Sequence, residues 1–330
     1  MAQLKIKLEL PPHFFEGEER CGHYISPEMK KIWAVELDLL NEFMSVCDKN
    51  GINYYVGGGT MLGAIRHKGM IPWDDDIDIF MKRSEYEKLV AIARKGVFRL
   101  PYFWQDSISD PGYLAGPGRL QNVETTAIAY SELNAKHGTM TYHHGIYIDV
   151  FPLDNIPDDE NEKNQWILTI KKVARQAWNL GMFRTRHLLQ DDKELQWLDF
   201  WFKLTNRPDY LFEKYYELLS ANSNVSTKEC CIYSFYVRNI GHWVYDNEDW
   251  IGKVMKPFEM LYVPVPSNYE TILTKTYGNW KVFVKNASVH EQNGNGIFFD
   301  VEKSYKYYVD PITGIKKDLL LKKIYEIRTC

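Results

Sequence analysis

The sequence has no apolar run near the roughly 18 residues that a membrane-spanning helix requires. Cysteine is sparse. Cys21, Cys47, Cys230, Cys231 and Cys330 are odd in number and show no CxxC spacing. That excludes a secreted disulfide framework and gives no structural zinc site. The opening, MAQLKIKLELPPHFF, carries no apolar h-region, so no signal peptide is expected and the predicted location is the cytoplasm. Neither charge is in large excess: 40 Lys and Arg against 44 Asp and Glu give a formal net charge of -4, which argues against a nucleic-acid partner. Internal repeats and low-complexity tracts are also missing. Aromatic residues, by contrast, are plentiful, with 10 Trp and 22 Tyr. Such side chains fill cores, stack on ligands and sit at membrane interfaces.

Along the chain, residues 1–29 read as an N-terminal arm, broken by Pro11 and Pro12. Ser26-Pro27 opens a helix whose apolar stripe runs through Met29, Ile32, Trp33, Leu37, Leu40 and Met44, and Asn50-Gly51 stops it. Short strands are expected at Ile52–Val56 and Ile77–Met81, with a short helix over Met61–His67 between them. Ser84 and Glu87 form a capping box for a helix that Gly96 ends. Further strand-like runs are Tyr102–Gln105, Thr125–Tyr130 and Ile146–Phe151. The pattern predicts an α/β fold: a mixed sheet flanked by helices over residues 30–160, then a mainly helical part over 161–330.

The segment from Val56-Gly57-Gly58-Gly59-Thr60 to Asp74-Asp75-Asp76-Ile77-Asp78-Ile79 carries the chemistry. Residues two apart on a strand share a face, so Asp76 and Asp78 project together while Ile77 and Ile79 anchor the strand. Two carboxylates side by side repel, which favours a divalent cation between them. With oxygen ligands and no His or Cys pattern, Mg²⁺ or Mn²⁺ suits them better than zinc. Gly58, Gly59 and Thr60 let backbone N–H groups approach a phosphate at a helix start, and Arg66 and Lys68 are candidates to neutralise its charge. Asp149, an acid inside the apolar run Ile146–Phe151, is the candidate third metal ligand or general base. A phosphate cradle beside metal-holding acids is equipment for phosphoryl transfer. Taken alone, Asp74-Asp75-Asp76 would read as a solvated turn; the glycines before it and Asp78 after it change that reading.

The order of these features resembles the nucleotidyltransferase superfamily. More closely, GGGTMLGAIRHKGMIPWDDDIDI and GIYIDVFPLDNIP resemble the LicD family of phosphotransferases, which includes bacterial phosphocholine transferases and is similar to the fukutin proteins. Weaker likeness continues at Leu120-Gln121-Asn122 with Thr125-Thr126, at Pro264–Tyr269 and at Tyr277-Gly278. Gln121 departs from the family pattern, which often has Arg there, and Arg119 is the nearest substitute. The resemblance implies Mg²⁺-dependent transfer of a phospho-alcohol, phosphocholine above all, from a CDP-alcohol donor to a hydroxyl of a glycan acceptor such as a lipopolysaccharide or teichoic acid precursor, with release of CMP. Asp76 and Asp78 would hold the metal, and Asp149 would bind metal or take the acceptor's proton. The residues alone leave open which side of the pyrophosphate is attacked. Nucleotidyl transfer from an NTP and non-catalytic nucleotide binding therefore stand as alternatives.

Outside this constellation, Asp154 reads as a turn cap, Cys230-Cys231 as buried filler, and His143-His144 as structural, since adjacent strand residues face opposite ways. The stretch Lys163–Gln190 has six Lys and Arg and no acid, and Trp197–Phe202 follows it. Basic and aromatic together, they predict peripheral contact with the inner leaflet of the cell membrane, near a lipid-linked acceptor.

Overall fold

A computed structural model describes residues 4–110, 113, 117–133, 142–185, 193–206, 210–233, 243–284 and 296–329. Strands β1 (Glu18–Arg20) and β2 (His23–Ile25) make a small hairpin ahead of the core. The central mixed sheet contains β3 (Tyr55–Val56), β4 (Asp78–Lys82), β5 (Tyr102–Gln105) and β6 (Gly118–Asn122). After β7 (Thr126–Ala129), which pairs with Ile297–Asp300 elsewhere, the sheet adds β8 (Ile146–Asn155), β9 (Glu229–Cys231) and β10 (Val244–Asp246). β4 and β8 run parallel, with Asp78 opposite Asp149. β3 lies antiparallel to β4. β6 lies antiparallel to the first half of β8, and β9 to its last two residues. The mixed α/β architecture expected from the sequence is present, and two strands from beyond residue 161 extend its sheet.

Helix α1 (Pro27–Lys49) starts as the sequence predicts: the Ser26 hydroxyl accepts from the Met29 N–H at 3.1 Å, and Pro27 opens the first turn. Trp33, Leu37, Leu40 and Phe43 are fully buried, and the helix packs on β6 and β8. α2 (Gly58–Arg66) begins three residues before the expected Met61, so the Gly58-Gly59-Thr60 segment is its first turn and Gly57 its N-cap. α3 (Arg83–Ala93) does not use the predicted capping box. β4 runs straight into it through Lys82, which leaves Ser84 already inside the first turn. A short helix, α4 (Tyr130–Leu133), precedes β8, and α5 (Glu160–Thr185), α6 (Lys193–Leu204) and α7 (Tyr210–Ser220) form a helical layer around their own small cores. The arm is laid against the body: Lys7 and Leu8 both donate backbone N–H groups to Asp38 at 2.8 Å.

Asp154 is a correction. It is not a turn cap but a residue of β8, buried and ion-paired with Arg83 of α3 at 2.5 Å. β8 is four residues longer than the sequence suggested and carries Pro152 within it. Cys230 and Cys231 are buried as expected, and burial pushes the Cys230 thiol up to about 12.

Candidate active site

β4 begins only at Asp78, so Asp76 and Ile77 precede the strand, yet the alternation of faces already runs through them. Ile77 and Ile79 are fully buried in the core, while Asp76 and Asp78 remain partly accessible on the other face. Ile148 and Val150 bracket Asp149 in the same way on β8, and the Asp149 N–H donates to the Ile77 carbonyl at 3.0 Å. Two hydrogen bonds, one between main chains and one to the Thr60 side chain, lock the glycine turn onto β4. The Gly57 N–H donates to the Asp78 carbonyl at 2.9 Å, and the Asp78 N–H donates to the Thr60 hydroxyl at 2.8 Å. Gly58 has φ +48, and a Cβ there would lie 2.7 Å from the Asp78 Oδ2; a Cβ on Gly59 would lie 2.8 Å from the Asp74 Oδ2. These two carboxylates rest directly on bare backbone, and only glycine leaves room for them.

Asp74, Asp75 and Asp76 each place a carboxylate oxygen within 4.8 Å of the other two. The acidic turn is held from below. Trp33 of α1 donates its indole N–H to the Asp74 carbonyl at 2.9 Å. Glu36, one turn on, is buried beneath it, and its Oε2 has no hydrogen-bond partner. Burial first, then the charges of Asp74, Asp78, Asp75 and Glu36, push the Asp76 carboxyl well above its ordinary value. Burial followed by Asp75 and Asp74 does the same to Glu36. A crowd of carboxylates that raise one another's proton affinity has the donor chemistry of a hard divalent cation site, so these residues fit Mg²⁺ or Mn²⁺.

Asp149 is differently placed from the other acids. Arg119, its cross-strand neighbour on β6, donates from Nε to Asp149 Oδ1 at 2.7 Å, and its guanidinium lies 3.6 Å from the centre of the Tyr147 ring and 5.1 Å from that of Tyr113. Burial opposes the charge on Arg119, but Asp149, Tyr113 and Tyr147 outweigh it and hold the guanidinium well above its ordinary value. Burial raises the Tyr147 phenol, Arg119 opposes that, and Asp149 and then Asp76 add to it. Gln121 is engaged elsewhere: its Oε1 accepts from the Gly145 N–H at 2.7 Å and fixes the entry to β8.

Arg66 ends α2 and Lys68 follows it, at the opposite end of that helix from the Gly58-Gly59-Thr60 turn. Arg66 donates to the Trp280 carbonyl at 3.1 Å and to the His67 Nε2 at 3.0 Å, and Lys68 is exposed. Because Arg66 donates to it, Nε2 carries the lone pair; burial, then Arg66 and Arg20, lower His67 to about 4. The unfolded chain therefore binds a proton that the folded chain refuses, and stability is lost as pH falls from about 6.5 toward 4. His67→Gln should make that acid limb shallower, measured from urea midpoints at about pH 7 and about pH 5.

His143 pairs with Asp110 at 3.1 Å and His144 with Glu132 at 3.3 Å, and both precede β8 rather than alternating along it. The sequence reading missed Trp33, Glu36 and Tyr277. Tyr277 ends the helix Tyr269–Tyr277, and burial, then Asp78, Tyr245, Asp74 and Asp76, raise its phenol well above its ordinary value. Its only sequence signal was the weak likeness at Tyr277-Gly278.

Residues 51–177, which carry the glycine turn, the acids and Asp149, match the family described as LicD/FKTN/FKRP, nucleotidyltransferase domain. The protein is a transferase of phosphorus-containing groups. Over residues 51–177 it carries a domain that matches the LicD family. The lipopolysaccharide cholinephosphotransferase LicD of Haemophilus influenzae is 27% identical over 262 residues, covering 76% of this chain and 92% of that protein. An uncharacterized protein of Rickettsia prowazekii is 49% identical over 41 residues, 12% of this chain and 15% of that protein.

Proposed function

We propose that the protein transfers phosphocholine from CDP-choline to a hydroxyl of a lipopolysaccharide-type glycan, with CMP as the leaving group. The observation that carries this reading is the placement of Asp78 and Asp74 on the glycine turn, with Asp76 beside them. α2 has no side-chain cap, so the N–H groups of Gly58, Gly59 and Thr60 at its positive end suit a donor phosphate. The similarity to the Haemophilus influenzae cholinephosphotransferase supports the choice of donor and acceptor. In the transfer, the acceptor oxygen bonds to the choline-bearing phosphorus, the bond from that phosphorus to the bridging oxygen breaks, and CMP leaves with the electron pair.

Asp76 and Asp78, joined by Asp74, would hold Mg²⁺, which when bound neutralises pyrophosphate charge and stabilises the leaving CMP. Asp149 takes the acceptor proton, and Arg119 orients that carboxylate. The Gly58 turn positions the donor, and the Tyr147 ring packs against the Arg119 guanidinium.

Binding to the metal and donor gives a direct check. At saturating Mg²⁺ with CDP-choline the melting temperature should rise by about 3–4 °C, from roughly 2–3 kcal/mol of linkage. Asp76→Asn should lose most of that rise. An equal rise from CDP-choline in EDTA would contradict a metal-held donor.

A further inference from the structure

Helix α6 has two apolar faces. Leu195, Leu198 and Phe202 point inward and pack with Ala177 and Leu180 of α5 and Leu211 and Phe212 of α7. The opposite face presents Trp197, Phe200, Trp201 and Leu204, spaced three and four apart, with 58%, 59%, 49% and 65% of their surface exposed. The rings form one continuous surface, since Trp197 lies 5.5 Å from Trp201 and 6.0 Å from Phe200 between ring centroids. Four large apolar side chains clustered on a single outer face are a contact surface rather than scattered exposure.

The charges around this face narrow the choice of occupant. On α6 itself Lys193 and Glu194 are both exposed and Lys203 pairs with Asp199 at 2.8 Å, so that helix carries no net charge and the basic side chains come from α5. On the outward side of α5, Leu168 is 61% exposed and is followed by exposed Lys171, Lys172 and Arg175. The segment Lys163–Gln190 holds six Lys and Arg and no acid, in a chain whose formal net charge is -4. A second copy docked on the same patch would set these like charges against each other.

We propose that the outer face of α6 seats the protein on an anionic lipid bilayer. The aromatic rings and Leu204 enter the boundary between headgroups and acyl chains, and Lys171, Lys172 and Arg175 of α5 meet lipid phosphates. The helix lies in the plane of the surface: at twelve residues it is about 18 Å long, and no helix among the described residues is long and apolar enough to cross a membrane. This seating is independent of the catalytic residues.

Flotation with the full chain tests it. Vesicles of phosphatidylglycerol and phosphatidylcholine should carry the wild-type protein upward at low salt, and pure phosphatidylcholine vesicles should carry far less. Trp197→Glu with Trp201→Glu should cut partitioning at least tenfold, and Lys171→Gln, Lys172→Gln, Arg175→Gln should remove most of the salt dependence. Both sets change exposed side chains, and unchanged melting temperatures verify the fold. Quenching of tryptophan fluorescence by bromolipids in the unmutated protein gives a second readout, which should shrink in Trp197→Phe with Trp201→Phe. Absence of flotation at low salt, equal flotation of the Glu variant, or a dimer that forms without lipid and is lost in that variant would each overturn the proposal.

Discussion

Asp78→Asn should lower CMP release from CDP-choline by about a thousandfold, equivalent to roughly 4 kcal/mol of transition-state stabilisation. The substitution keeps the side-chain volume and removes the charge. Two contacts that hold residue 78 in the fold are made by its backbone, N–H to Thr60 and carbonyl to Gly57, and these survive the change. The loss is thus expected in kcat, with the melting temperature of the metal-free protein unchanged or slightly raised as repulsion with Asp76 is relieved. Initial rates of CMP formation with wild-type and variant protein decide it. A variant that keeps more than a tenth of the wild-type rate would remove Asp78 from the catalytic machinery.

The second large effect concerns stability. Arg83 and Asp154 are 2% and 1% exposed, and their ion pair joins α3 to β8 behind the site. Asp154→Ala leaves a buried guanidinium with its main partner gone and should cost about 3–5 kcal/mol, measured by urea denaturation. Glu87, 3.5 Å from Arg83 on the next turn, offers only a partial substitute. Replacing both members, Arg83→Met with Asp154→Leu, should recover most of the loss, because apolar residues of similar volume do not carry the desolvation cost of two charges. If the double variant is as unstable as Asp154→Ala, the cost lies in packing and not in the orphaned charge.

These two residues also show where the sequence could be read and where it could not. Asp78 was legible because alternation with Ile77 and Ile79 is local: strand geometry alone puts the acid on the open face. The stripe of α1 was legible for the same reason, at helical spacing. Asp154 was not, because Pro152 suggested a turn, and only the pairing of β8 with both β4 and β9 keeps the chain extended through it. The Asp149–Arg119 pair depends on the register between β6 and β8, which brings together residues 30 apart. Trp33 and Glu36 lie on a helix that looks like ordinary core, and their relation to the acidic turn exists only once α1 is packed beneath it. The outer face of α6 was partly visible as a crowd of aromatics, but only the packing of Leu195, Leu198 and Phe202 shows which face is left outside.

The measurement that bears most directly on the proposed reaction is product release from the purified protein with Mg²⁺, a panel of CDP-alcohols, NTPs and UDP-sugars, and a lipopolysaccharide-type glycan acceptor. CMP should appear with CDP-choline, in step with acceptor modification, and should vanish with EDTA or with Asp78→Asn. Pyrophosphate released from an NTP, with CDP-choline left intact, would contradict phosphocholine transfer and make the protein a nucleotidyltransferase in its chemistry.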